Sequence, residues 1–231
     1  MTLLELVTHL RNNILHDNGG TGVDWSSFSS DDIDSMQLRW TNEELTANIN
    51  EAISQVYKRT SPIKDVYTID IEAGVTDYTL PDYIKNILLV KNSKGHPVVE
   101  REIVELWWDE TLDTQIGEVT VFIPDLKNRT IKFLNVPKEN ETITLLVYRY
   151  PKTQLSWDTP DISPELLPQY QLPMLWYAAG LCYLKDEVNT LDPKRADRMM
   201  AMFDREFPFT SVYSIIRKER TSNRPIRYGG I

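Results

Sequence analysis

The chain of 231 residues has one cysteine, Cys182. It cannot close an intrachain disulfide, so folding needs no oxidising compartment. Histidine is nearly as scarce, with only His9, His16 and His96. His9 and His16 lie seven apart on one helical pattern. No third ligand stands at a recognisable spacing, which favours surface histidines over a metal site. The phosphate-cradling glycine motif is missing. Gly19-Gly20-Thr21-Gly22 has neither a strand before it nor a lysine after it and reads as a turn. There is no G-x-S-x-G elbow. Asp31, Asp32 and Asp34 miss the spacing, the glycine and the closing glutamate of a calcium loop, so they read as a solvated acidic loop. No carboxylate pair is marked out among the 34 acids, so no catalytic residue, cofactor or metal is assigned. Cys182 falls in an apolar helical pattern, where a thiol behaves as an inert small hydrophobe.

Long apolar runs are also lacking. Residues 166–184 carry no charge, but Pro168, Gln169, Gln171 and Pro173 interrupt the first half. The remaining run, residues 174–184, is too short to span a bilayer and reads as a buried helix. The first residues show no basic-then-apolar signal. Asn128-Arg129-Thr130 and Asn140-Glu141-Thr142 match the glycosylation pattern but read as turns.

Positive charge is in deficit and unevenly placed. The chain has 25 Lys and Arg against 34 Asp and Glu, a net charge of -9. Residues 215–231 hold Arg217, Lys218, Arg220, Arg224 and Arg227 against Glu219 alone, a net of +4. The remaining body has 20 bases and 33 acids, a net of -13. A basic stretch containing Pro225, Gly229 and Gly230 cannot bury a core of its own, so it reads as an arm for another surface. Ile215, Ile216, Ile226 and Tyr228 give that arm apolar anchors.

Helical patterns lie towards both ends. Thr2 and Glu5 form a capping box ahead of Leu3, Leu6, Val7, Leu10 and Ile14, which predicts a helix over 2–16. A Gly/Ser/Asp-rich connection follows at 17–36, with Trp25 and Phe28 as its large anchors. It is long enough to suggest a functional loop. Thr41 and Glu44 form a second capping box, with Trp40 and Leu45 as a hydrophobic staple. That helix should end near Thr60, before Pro62. The middle changes period. Strands are expected at 67–71 and 75–80, and three more, at 118–123, 130–136 and 142–150, form an antiparallel meander. Residues 84–90 fit a buried strand or a short helix equally well, and 101–108 can form a helix. Trp107 and Trp108 are adjacent, so one can be core and the other exposed. A helix at 173–187 is apolar on nearly every side and must be covered all round, which suggests a subunit interface. Asp192 then caps a last helix, with Pro193 at its first position.

The expected fold is α+β: a helical bundle built from both ends of the chain, with an inserted antiparallel β unit and an extended C-terminal arm. The expected segments are 1–62 for the N-terminal helices, 63–152 for the β-rich unit, 153–210 for the C-terminal helices and 211–231 for the arm.

Several pieces together resemble the head-to-tail connector family of tailed bacteriophages. They are the Trp40-Thr41-Asn42-Glu43-Glu44-Leu45 helix start, Asn50-Glu51-Ala52, Leu80-Pro81-Asp82-Tyr83-Ile84, Val136-Pro137, Tyr150-Pro151 and the Tyr177-Ala178-Ala179 helix. The resemblance covers most of residues 1–207. The 17–36 loop is longer than is usual, so the family implies no role for it. The resemblance implies a structural virion protein without enzymatic activity, made in the host cytoplasm and placed at the head–tail interface. Its partners would be the portal protein, tail or nozzle proteins, and copies of itself in a ring, usually of twelve. DNA would pass through without specific binding, and no membrane is involved. A C-terminal extension grips the portal in several such proteins. Carried over, this points to Arg217, Lys218, Arg220, Arg224, Arg227 and Tyr228. Trp176, Tyr177, Tyr183, Trp107 and Trp108 are the candidates for contacts between subunits. A carbohydrate- or surface-binding module using the β unit and its Trp pair is the alternative. A hydrolase with an unmarked carboxylate pair is a third.

Overall fold

The computed structural model describes residues 1–17, 38–60, 63–101, 115–125, 128–186 and 190–209. These divide into two compact units.

The first unit is drawn from the described residues of Met1–Pro62 and Pro151–Ile231. It opens with helix α1, Leu3–His9, whose capping box is made: the Glu5 N–H donates to Thr2 Oγ1 and the Thr2 N–H to the Glu5 carboxylate. The chain then widens into a π-helical segment, Leu10–Leu15, which ends at His16 in the left-handed region, φ 54°. Helix α2, Asn42–Thr60, starts at the second capping box, closed by the same reciprocal bonds between Thr41 and Glu44. Its buried face carries Leu45, Ile49, Ala52, Ile53, Val56 and Tyr57. Helix α3, Pro168–Tyr183, packs on α2 and on α4, Pro193–Glu206. α3 begins five residues before the expected start and runs through Pro173. Each large aliphatic side chain buried here contributes about 1.5–3 kcal/mol, which outweighs the one backbone hydrogen bond Pro173 cannot make.

The second unit is Ile63–Tyr150. Its strands are β1 (Ile63–Ile71), β2 (Asp77–Thr79), β3 (Ile84–Lys91), β4 (Pro97–Glu100), β5 (Ile116–Gly117), β6 (Val121–Asp125), β7 (Thr130–Leu134), β8 (Val136–Pro137) and β9 (Glu141–Arg149). Seven of them form one sheet in the order β1-β9-β3-β4-β6-β7-β2, and β5 pairs with β8. β1 and β9 pair antiparallel over nine unbroken positions. The β9–β3 ladder shifts register at Ile84/Asn86 and again at Ile87/Leu89. Such shifts bend a strand and deepen its twist, and the sheet curls into a half-barrel. Ile69, Ile71, Ile87, Val90, Ile131, Phe133, Ile143, Leu145 and Val147 fill its concave core.

The expected fold class needs correction. The dominant body is this seven-stranded curled sheet, not a helical bundle built from both ends of the chain. α1 has only seven residues before it widens, too short to act as a rod in a bundle. Residues 84–91 are strand, and 97–100 add β4, which the expected meander does not contain. β4 pairs with β6 in parallel, so the unit is not purely antiparallel. The expected helix at 101–108 and the arm lie outside the described residues.

Candidate functional site

The C-terminal end of α4 is tied down by one buried cation. The last turn of α2 carries Arg59, whose side chain is almost wholly enclosed. Arg59 Nη1 donates to Asp204 Oδ1 at 2.6 Å and to the Phe207 carbonyl at 2.9 Å. The guanidinium carbon lies 4.7 Å from the Phe203 ring centroid and 4.1 Å from that of Phe209. A guanidinium is planar and weakly hydrated, so it can stack on rings while its edge makes hydrogen bonds. Phe203 and Phe207 lie 4.9 Å apart, and Tyr170 and Tyr177 extend the aromatic group. Phe209, the last described residue, is 83% exposed despite this stacking. The basic segment 215–231 follows a few residues later.

α3 is covered chiefly from within its own unit. Met174, Leu175, Ala178, Ala179 and Cys182 are buried. Gly180 approaches α4 so closely that a Cβ there would sit 2.8 Å from Met200 Cε. Burial pushes the Cys182 thiol up to about 12, and Asn48 donates to its sulfur at 3.2 Å. Tyr183 is also buried. Its hydroxyl donates to the Ile14 carbonyl at 3.3 Å, and its ring stands edge-on to Trp40 at 6.0 Å. Tyr183 therefore belongs to its own unit's core and offers almost no surface to a neighbouring copy. Trp176 and Tyr177 are half-buried, with Leu172 and Leu184 exposed on the same helix and its cap. Burial, helped by the nearby Glu51, raises the Tyr177 hydroxyl above its ordinary value.

In the sheet unit, a polar cleft of about 220 Å³ is lined by Ser93, Lys94, Glu118, Lys138, Asn140 and Glu141, among others. Glu118 is its hub. It accepts from His96 Nδ1 at 3.0 Å, Lys94 Nζ at 3.1 Å and Asn92 Nδ2 at 2.6 Å. Led by the His96 contact, these partners lower its carboxyl to about 2. Glu118 and Glu141, which accepts from Ser93 Oγ at 2.7 Å, thus hold the 92–96 turn to the rest of the sheet unit. Among the described residues no group of three or more His, Cys, Asp and Glu can hold a metal ion. His9 and His16 bond separately to Asn13 and to the Asn12 carbonyl. No described helix is long and apolar enough to cross a membrane.

Compared with known proteins, the chain matches the family described as SU10 adaptor protein over residues 1–227. The chain belongs to that family. Members of this family are bacteriophage head-to-tail adaptors. No curated protein matches significantly. Among solved structures, a chain in the neck of an empty GTA particle computed with C6 symmetry is 15% identical. The alignment covers 89% of this chain and 88% of that one, with a TM-score of 0.28, too low to carry any argument.

Of the residues expected to serve this adaptor, Arg217, Lys218, Arg220, Arg224, Arg227, Tyr228, Trp107 and Trp108 lie outside the described residues. Sequence reasoning missed Arg59, Glu118 and the buried pair Arg11–Asp17. Arg11 carried a signal. It stands four residues after Val7 and three before Ile14, a base on the apolar stripe. Its Nη1 donates to Asp17 Oδ2 at 2.6 Å, and its Nη2 to the Trp40 carbonyl at 2.7 Å and Asn42 Oδ1 at 2.9 Å. Asp17 Oδ1 accepts the Arg39 N–H at 3.0 Å. One carboxylate thus ties together the chain on both sides of residues 18–37.

Proposed function

We propose that this SU10-family adaptor forms a ring between the portal and the tail, through which DNA leaves the head, and that residues 215–231 dock on the portal. The family match over residues 1–227 carries the reading. The charge division supports it: a body of net -13 repels a polyanion, whereas the +4 arm suits an acidic protein surface. A conduit for DNA must not hold phosphates, and lysine- or arginine-rich walls would. Arg217, Arg220, Arg224 and Arg227 can each meet a carboxylate in two-point fashion, with Lys218 and Tyr228 adding contacts. Of the aromatics expected at subunit contacts, Trp176 and Tyr177 are described and keep surface for a neighbouring copy or a tail protein. Twelve copies would match the family's usual ring.

The test is co-sedimentation of portal protein with the full chain and with a chain ending at Ser214, using circular dichroism as the folding control. The truncated chain should fold and no longer join the portal. If it folds and assembles with unchanged affinity, the docking surface lies elsewhere. The same truncated chain should bind duplex DNA no tighter than about 10⁻⁴ M at physiological salt.

A further inference from the structure

Helix α4 departs from two rules that α1 and α2 keep. Those helices carry acids in their first turns, Glu5 in α1 and Glu43 with Glu44 in α2, where the helix dipole favours negative charge. The first turn of α4 holds no acid and carries Lys194 and Arg195 instead. Arg195 is answered by the capping residue, Asp192, at 3.4 Å. Lys194 has no such answer, and four residues on stands Arg198, a spacing at which like charges repel. The side chains of Lys194 and Arg198 make no hydrogen bond or ion pair with any other described residue. Arg205 continues the row, with the small Ala201 before it. Positions 194, 198, 201 and 205 share one helix face, and all four are exposed. The row runs about 16 Å along the helix. Both departures cost stability, in a body whose net charge of -13 could have supplied counter-ions. Local rules of this kind are broken at functional surfaces.

We propose that this basic face of α4 contacts the acidic edge formed by Asp158 and Asp161 on a neighbouring copy. This rests on the ring reading above. Asp158 and Asp161 are both exposed. The backbone that carries them is fixed, because the Leu3 N–H donates to the Ile162 carbonyl and the Leu4 N–H to the Pro160 carbonyl, each at 2.9 Å. Exposed Glu5, on the helix held there, adds a third carboxylate. The basic face and the acidic edge belong to opposite sides of α3. The start of the chain meets α3 at Gln171, which accepts from the Met1 ammonium at 2.8 Å. Helix α4 crosses α3 at Gly180, beneath Met200. Gln171 and Gly180 are nine residues apart, about two and a half turns. A contact between opposite sides is head-to-tail and can close a ring, whereas a face that met its own twin would stop at a dimer. A carboxylate docked at the start of α4 meets Lys194, Arg198 and the positive end of the helix dipole together. Exposed ion pairs are individually weak, so these charges steer and orient, while Ile162, 47% exposed beside Asp161, adds apolar contact. A body of net -13 with so short a row of bases repels duplex DNA, so the acidic partner is a protein surface.

Charge reversal in the full chain tests this. Lys194→Glu with Arg198→Glu should leave a folded chain at least as resistant to urea, since acids suit the start of a helix. Its portal-templated ring formation should fall at least about tenfold, read by sedimentation. Asp158→Lys with Asp161→Lys should have the same effect, with circular dichroism as the folding control. All four substitutions in one chain reverse both sides of the contact and should restore the ring. Rings that form normally from the Lys194→Glu, Arg198→Glu chain overturn the proposal. So does a four-site chain that assembles no better than either pair, which would mean that the two surfaces do not meet. Submicromolar binding of duplex DNA that Lys194→Glu with Arg198→Glu abolishes would also overturn it, by making the face a nucleic-acid contact. Failure of the unaltered chain to form any ring would instead overturn the ring reading itself, and this contact with it.

Discussion

Replacing Asp17 with Asn tests how the helical unit is held together. The Arg11 side chain is 1% exposed and that of Asp17 5%, so their charges are fully desolvated. The substitution keeps the volume and an acceptor for the Arg39 N–H, but removes the carboxylate that pairs with Arg11 at 2.6 Å. Removing one partner of a buried pair costs about 3–5 kcal/mol. The Trp40 carbonyl and Asn42 Oδ1 remain as neutral acceptors for Arg11, which favours the lower end, about 3 kcal/mol. For a chain of this size that lowers Tm by about 6–12 °C. Urea unfolding measures the loss, and residue-resolved hydrogen exchange assigns it. Protection should fall in α1, α2 and α3 and stay unchanged in β1 and β9. A second variant, Arg11→Met with Asp17→Asn, removes both members of the buried pair and should be more stable than Asp17→Asn alone. A loss below about 1 kcal/mol for Asp17→Asn would show that water solvates Arg11 and would refute the reasoning. A double variant less stable than Asp17→Asn would refute it too.

Glu118 is held at about 2 by His96, Lys94 and Asn92 against an ordinary value of 4.5. A depressed carboxyl stabilises the fold above its unfolded value and loses that contribution as pH falls through its folded one. Amide exchange in the 92–96 turn should therefore accelerate between pH 4.5 and about 2, and Glu118→Gln should abolish that pH dependence. Arg59→Met strands the Phe207 carbonyl and removes two ring contacts, a loss of about 2–3 kcal/mol; proteolysis should then cut faster around Arg205, and an unchanged cutting rate would contradict the anchoring role. Gly180→Ala should be nearly neutral, because Met200 is flexible and alanine favours the helix by about 1 kcal/mol. Gly180→Leu should destabilise by about 1–3 kcal/mol, measured by urea unfolding.

What was legible in the sequence depended on how far each signal reaches along the chain. The Thr2/Glu5 and Thr41/Glu44 boxes span three residues each, and both form as read. Strand β1 alternates cleanly, because one face meets the core and the other does not. β3 defeats periodicity for a physical reason: two register shifts against β9 break its alternation, so its apolar run fits either structure. The start of α3 was misplaced because Pro168 and Pro173 both suit a first turn. Gln171 helps decide it, with its amide donating to the Leu166 carbonyl at 3.1 Å and its oxygen accepting from the N-terminal ammonium at 2.8 Å. Arg59 is the clearest case. A base in the last turn of a helix is expected from the helix dipole alone, and nothing local marks it as buried. Its burial comes from Phe203, Asp204, Phe207 and Phe209, some 145 residues later in the chain. The charge of residues 215–231 could be read directly, but the Arg59 contacts to residues 203–209 exist only once the two ends of the chain have met.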